Sequence, residues 1–372
     1  MRSAQVARAL QEFGKVKVVI VGAERPSGAQ DAAEFDVAYE LPVRPAPNRG
    51  LFKKLDWMLN PRSFQPHGMA ADEQDLQRAV AAAGEHDLVW FFKLRTANLF
   101  RQWAWPRSVV DVDDVPSTFE RSVLDNQRRP SERLATAARL WSWQRRERLL
   151  GERFSVITVC SEDDRAYLEA LGVTTPVRVI ANGYTRPETP PVRRLANPPR
   201  IGFIGVFDHQ PNVEGLQWFA RECWPRILQD VPDARLRLVG RFSDGPLAPT
   251  GTGIEALGWV RDPTDEIATW ASTIVPVRVG AGTRGKIAHA FSQKCPVVST
   301  GLGAYGYGAR DAHNMFLAES AEDFADACVR TIRQPVLAAA VADRAWQEFL
   351  NRWTWDAIRP HVRAAAEDCL RS

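Results

Sequence analysis

A chain of 372 residues, 45% apolar and 25% charged, is long enough for two ordinary domains and too apolar for a disordered segment. Its net charge of +3 is too mild to argue for nucleic acid without clustering. Five scattered cysteines (Cys160, Cys223, Cys295, Cys328, Cys369), odd in number and without a CxxC pair, fit reduced thiols and argue against a zinc site. No apolar run approaches the roughly 20 residues of a membrane-spanning helix, and the start lacks the basic-then-apolar order of a signal peptide. The expectation is a cytoplasmic protein, soluble or peripheral at the inner face of a membrane.

In chain order, residues 2–14 read as a helix leading into the strand "VKVVIVG" (16–22). A helix with no strand before it is unusual for a doubly wound domain, so either Met1 is not the natural start or the domain lacks its first strand. The apolar, β-branched runs 86–92, 108–114, 154–160 and 177–183 follow, separated by helix-like stretches; the alternation predicts a parallel sheet buried on both faces. Between two of these runs, 128–153 holds eight arginines against three glutamates, with Trp141 and Trp143. It reads either as a solvated helix whose arginines pair locally or as a basic helix resting on an anionic membrane. Ser161 and Asp164 fit a capping box, and Asn182-Gly183 a turn. The three carboxylates Asp111, Asp113 and Asp114 crowd one strand end and repel, so at least one is paired, shifted or functional. A turn and helix-cap cluster is the structural alternative.

Prolines and charge at 186–199 mark a linker. Strands are expected again at 200–207, 235–241, 254–260, 272–279, 295–300 and 315–318, giving a second α/β domain. Asn212 either caps the helix 213–229, whose Leu216, Phe219, Ala220, Cys223 and Ile227 recur at helical spacing, or faces a ligand near Gly205 and Asp208 at a strand's carboxyl end. "VRVGAGTRGKIAHAFSQKCPVVST" (277–300) runs from a strand through a glycine-flanked turn into a helix. A helix start offers unpaired N–H groups and a positive dipole end to an anion, a signal that is weak alone. Arg284 and Lys286 there are poorly placed for the dipole, which points to an anionic ligand; a solvated turn is the plain alternative.

The restart at 200, "GVFDHQPNVEGLQWFARECWPRI", "ARLRLVGR" and "VPVRVGAGTRGKI…PVVSTGLGAYG" together resemble the retaining nucleotide-sugar glycosyltransferases of family four (group 1), specifically the branch with "GSMD-x-x-PN" and "PLR-x-GGGTRLKILEA". "VVDVDDVPS", "ITVCSEDDRAYL" and "VIANG" fall in the expected order in the N-terminal half, so the likeness covers nearly the whole chain from Arg2. The resemblance implies a GT-B fold: an N-terminal acceptor-side Rossmann-like domain (1–190, with the helix 354–372 packing back on it) and a C-terminal nucleotide-sugar domain (200–350), joined at 186–199 and facing a cleft. It implies transfer of a sugar from a nucleotide diphosphate donor to an acceptor hydroxyl with retained configuration, no metal and no other cofactor. Gly205, Gly280, Gly282 and Thr283 would approach the diphosphate, Arg284 and Lys286 would offset the leaving charge, and Asp208 and Asn212 would lie nearby. Asp113 or Asp114 would touch the acceptor or donor sugar.

Two departures bear on the donor. Family members carry two glutamates where Ala281 and His289 stand, the second holding the donor ribose, and Tyr305 replaces an acid near the donor. A neutral histidine can hydrogen-bond a hydroxyl but cannot offer a diol the two acceptors of a carboxylate. The leading reading is a transferase acting on a glycan or lipid-linked acceptor. The alternative is a donor-site-impaired GT-B scaffold serving as a binding subunit of a glycosyltransferase complex. A nucleotide-sugar epimerase of the same fold is a third possibility, and a dehydrogenase is disfavoured because no GxGxxG follows the first strand. Nucleic acid is not an expected partner.

Overall fold

The computed structural model describes residues 2–22, 34–46, 50–63, 69–127 and 129–372; Met1 and Arg128 lie outside them. Two compact units are present, Met1–Ala181 with Ile358–Ser372, and Asn182–Ala357.

The first unit opens on the helix Arg2–Gln11, whose Val6 and Ala9 are buried, followed by strand β1 (Lys17–Val21). β1 pairs in parallel with β2 (Asp36–Leu41), a strand that apolar runs do not reveal because exposed Asp36 and Glu40 interrupt it and only Leu41 is fully buried. A short antiparallel pair follows, β3 (Arg44–Pro45) with β4 (Met69–Ala70). The central sheet is four parallel strands in the order β5 (Val89–Phe92), β6 (Trp105–Asp113), β7 (Phe154–Val159), β8 (Val177–Val179). The single sheet expected here is thus divided: among the described residues β1 and β2 form a separate ladder. The main core cluster lies on one face of β5–β8, with Val110, Ile157, Val159, Leu150 and Leu168 buried in it. Ser161 caps the helix Glu162–Ala170, its Oγ accepting the Asp164 N–H at 3.1 Å, as the sequence pattern predicts. The helix Pro130–Glu147 forms, and its arginines mostly bind locally: Arg139 to Glu120, Arg145 to the Leu59 carbonyl, Arg146 to the Asn60 carbonyl and Arg133 to the Leu124 carbonyl. Trp143 packs edge-on against Trp57.

In the second unit six strands lie in the order β11 (Ile254–Ala256), β10 (Arg235–Val239), β9 (Arg200–Ile204), β12 (Trp270–Val275), β13 (Val297–Ser299), β14 (Phe316–Leu317), with each ladder parallel. Every residue of β12 is buried, which explains its unbroken apolar reading. β12 ends earlier than its apolar run because Pro276 has no N–H to continue the ladder. The segment 186–199 carries no helix or strand, belongs to the second unit, and is tied to it by Arg194 N–H to Ala268 O (2.8 Å) and Ala196 N–H to Thr269 O (3.0 Å).

The capping role considered for Asn212 is corrected. Pro211 starts the helix earlier, at Gln210–Trp218, so Asn212 is inside its first turn and His209 holds the cap position. The helix then widens into one π turn, Phe219–Cys223, before Trp224–Asp230. Pro225 cannot donate to the Arg221 carbonyl, and the Trp224 N–H reaches back to Phe219 O instead. The five cysteines are buried, with no disulfide among them. No helix of the described residues is long and apolar enough to cross a membrane.

Candidate functional site

Strand order in the second unit reverses between β9 and β12: β10 and β11 lie to one side, β13 and β14 to the other. Ligands of open α/β sheets sit beyond the carboxyl ends of the strands at such a point. The segment after β9 brings Gly205 and the helix Gln210–Trp218, and the one after β12 brings the turn 279–284 and the helix Gly285–Ser292.

In that turn Gly280 and Gly282 have φ of 135° and 74°, backbone that a side chain rarely adopts, which accounts for the glycines. Arg284 occupies the N-cap position and folds back, its guanidinium donating to the carbonyls of Ala281 and Gly282. It therefore braces the turn from within. Thr283 accepts a hydrogen bond from Asn182 Nδ2 at 3.0 Å, so Asn182-Gly183 is more than a turn: it fixes the glycine loop. Tyr184 and Tyr307 complete the support. The Tyr307 hydroxyl donates to the Arg284 carbonyl (3.0 Å), and a Cβ on Gly285 would lie 2.3 Å from the Tyr184 hydroxyl oxygen.

Lys286, in the helix's first turn, is the cation aimed at the end of β9. Its Nζ donates to Asn212 Oδ1 at 2.8 Å and lies 3.8 Å from the Phe203 ring centroid. A Cβ at Gly205 would sit 3.0 Å from Asn212 Nδ2 and 3.4 Å from Lys286 Nζ, so these three residues share one spot. Burial, reinforced by the Arg284 charge, pushes the Lys286 ammonium down to about 7. An anion brought to this spot gains a cation that the protein itself leaves poorly compensated. His209, which sequence patterns did not single out, joins the cluster: burial and then the charges of Lys286 and Arg284 lower it, against the opposing pull of Asp208.

The remaining donor candidates are less tightly drawn in. Asp208 is exposed beside His209. His289, three residues beyond Lys286, is lowered by burial, with Asp262 acting the other way, and is neutral at neutral pH. Tyr305 lies in the turn 300–307 after β13, half-buried.

In the first unit Asp111 and Asp113 take distinct roles, while Asp114 lies exposed in the bend that follows β6. Asp111 is buried and holds Arg2 in a two-pronged bond of 2.8 and 3.0 Å, while accepting from Thr158 Oγ1 at 3.0 Å. Asp113 ends β6 with φ of 64°, and Lys93 follows β5 with φ of 67°. The two residues form an ion pair of 3.3 Å across neighbouring strand ends, and the Cys160 thiol donates to Asp113 at 2.9 Å. Burial alone would raise Asp113, but the thiol, Arg2 and Lys93 hold it below the ordinary carboxylate range. Two non-glycine residues held in left-handed backbone at adjacent carboxyl ends are the kind of strain that gathers at functional sites. Lys93 and Cys160 carry no sequence signal of this; only the β5–β6–β7 pairing assembles them.

Residues 198–334, which include Gly205, Asn212, the glycine turn and Lys286 but not Asn182 or Tyr184, match the family model described as Glycosyl transferases group 1. A Klebsiella pneumoniae protein described as "Uncharacterized 44.6 kDa protein in cps region" is 26% identical over 133 residues, 33% of this chain; the match spans about a third of that relative, 34% of its length. Solved structures are similar over nearly the full length. A glycosyltransferase from Rickettsia africae ESF-5 matches with TM-score 0.64 at 13% identity, covering 100% of this chain and 95% of its own. HepE of Anabaena, in complex with UDP and glucose, matches with TM-score 0.60 at 14% identity, covering 97% and 94%. The fold is that of the GT-B glycosyltransferases, an α/β architecture with two Rossmann-like domains.

Proposed function

We propose that the protein is a retaining glycosyltransferase that moves a sugar from a nucleotide diphosphate donor to a hydroxyl of a glycan or lipid-linked acceptor in surface polysaccharide or glycoconjugate synthesis. The observation that carries the reading is the convergence of Lys286, Asn212 and Gly205 at the switch point beside the glycine turn. The group 1 match over these residues supports it, as does UDP in the similar Anabaena structure. The diphosphate would lie against the Gly280–Thr283 amides and the helix start, with Lys286 and the Arg284-braced turn offsetting the charge that a metal offsets elsewhere. The bond from the anomeric carbon to the pyrophosphate breaks, the bond to the acceptor oxygen forms, and the acceptor proton leaves with the phosphate. Asp113 and Asp114 serve the acceptor side. His289 and Tyr305 stand at the ribose and phosphate margins of the donor. Synthesis of a surface glycan is supported by the "cps region" description of the Klebsiella relative.

Calorimetric titration with a panel of nucleoside diphosphates tests the assignment: one should bind, and Lys286→Ala should weaken it about 30-fold, equivalent to about 2 kcal/mol for a lost charge-assisted contact. Binding unaffected by that change removes Lys286 from the phosphate site. If no nucleotide binds, the second reading stands, a donor-impaired binding subunit, which His289 in the place of a ribose-holding acid favours.

The acceptor side would work at the inner face of a membrane. Leu134 and Trp141 on the helix Pro130–Glu147 (74% and 47% exposed) and Phe52 on the helix Leu51–Leu59 (88%) offer apolar contact to it. Co-sedimentation with anionic vesicles that is unchanged in Trp141→Ala would remove this part.

A further inference from the structure

The helix Pro116–Asn126 begins directly after the Asp113–Asp114 loop, and its first turn is held by a side chain from a different helix. Glu147, fully buried at the end of Pro130–Glu147, accepts the Ser117 N–H on Oε1 (2.9 Å) and the Ser117 hydroxyl on Oε2 (2.5 Å). Ser117 Oγ lies 2.7 Å from the Tyr167 hydroxyl, and Gln144 Nε2 donates to that hydroxyl at 3.2 Å. With Glu147 ionised, every donor in this chain points toward the carboxylate: Gln144 to Tyr167, Tyr167 to Ser117, Ser117 to Glu147. With Glu147 protonated, its own O–H donates to Ser117, and the Ser117 hydroxyl must turn round toward Tyr167. The hydroxyl chain therefore has two directions, selected by one proton.

We propose that Glu147 is a positioning residue that sets the Asp113–Asp114 loop through the N-terminus of the helix Pro116–Asn126, and that its proton controls how firmly the loop is held. The ionisable groups facing it are Tyr167 on the helix Glu162–Ala170 and Arg121, whose guanidinium lies 5.1 Å from the Tyr167 ring centroid. Burial raises Glu147 to about 7, with the two Ser117 bonds and Arg121 opposing that rise only in part. Because the folded value exceeds the unfolded one, the closed arrangement is favoured with the proton on, fully so at acid pH, and that advantage is lost as pH rises through 7. The link to catalysis rests on the reading that Asp113 and Asp114 serve the acceptor; the structural part does not.

Amide hydrogen exchange of the full chain at pH 6 to 8.5, corrected for intrinsic rates, tests it. Protection of residues 115–119 should fall about tenfold across that range in wild type and stay level in Glu147→Gln. A level wild-type profile, or the same fall in Glu147→Gln, overturns the proposal. Should Glu147→Gln not fold, Ser117→Ala carries the test, since losing a bond to the ionised form should move the midpoint up by about half a pH unit or more; an unmoved midpoint is equally fatal. With UDP-glucose as probe donor, kcat for its turnover should fall above pH 7 in wild type and hold in Glu147→Gln, with the KM values of the two proteins within twofold of each other at each pH. No turnover of any nucleotide sugar indicts the transferase reading and leaves the exchange result to decide the role of Glu147.

Discussion

Lys286 concentrates the electrostatics of the second unit in one atom. Its ammonium, lowered to about 7 by burial and Arg284, is largely neutral at pH 8, whereas a bound diphosphate restores the proton. Nucleotide binding should therefore take up close to one proton at pH 8, and the dissociation constant should rise by up to about tenfold per pH unit between pH 7.5 and 9. Calorimetry in buffers of differing ionisation enthalpy measures the uptake, which Lys286→Met should abolish. The same shift works on stability in the opposite sense to a salt-bridged lysine. Between pH 7 and 10.5 the unfolded chain binds a proton that the folded one does not, so this residue's contribution rises with pH there. At His289 the expected outcome of His289→Glu is tighter UDP binding through two acceptors for the ribose diol. Equal affinity in calorimetry would separate this position from the ribose.

The helix Gly285–Ser292 illustrates how an element is placed by its first residue. Gly285 has no side chain because the Tyr184 hydroxyl oxygen occupies the place, 2.3 Å from where a Cβ would be, with the ring carbon bearing it at 3.6 Å. Alanine is normally the better helix former by about 1 kcal/mol. Here Gly285→Ala should instead destabilise by about 1–3 kcal/mol, and adding Tyr184→Phe should recover most of the loss, because only the hydroxyl clashes. Denaturant melts of the two single variants and the double variant read this directly; a double variant no better than Gly285→Ala would mean the clash lies elsewhere. The turn and helix were legible in the sequence from Gly280, Gly282 and the apolar period that follows. Their support from Asn182, Tyr184 and Tyr307 was not, since no local pattern marks residues that act across 23 to 101 positions of chain.

At the scale of the whole molecule, one long-range tie in the first unit runs from Arg2 to Asp111 and to the Ala181 carbonyl, at 2.8 and 2.9 Å for the shortest contacts. Removing one partner of a buried pair leaves an uncompensated charge, so Arg2→Met should cost about 3–5 kcal/mol in chemical denaturation. A loss below about 1 kcal/mol would mean that Asp111 is served by Thr158 and solvent. The C-terminal helix Trp355–Arg371 adds a second tie, with Asp368 paired to Arg178 at 2.5 Å.

Local pattern suffices for the α/β class, the position of most central strands, the Ser161 cap and the glycine turn before a helix, because each is written in periodicity or in residues with particular backbone freedom. Where it went astray, neighbouring prolines or partial exposure decided: Pro211 displaced Asn212 from the cap, Pro276 cut β12 short, and the half-exposed β2 escaped an apolar count. Tertiary structure alone decided that the strand order reverses beside Gly205, that Lys286 meets Asn212, that Lys93 and Cys160 both face Asp113, and that Glu147 reaches Ser117. Those pairings are set by parallel register and helix packing between residues 20 to 74 positions apart, which one-dimensional spacing does not encode.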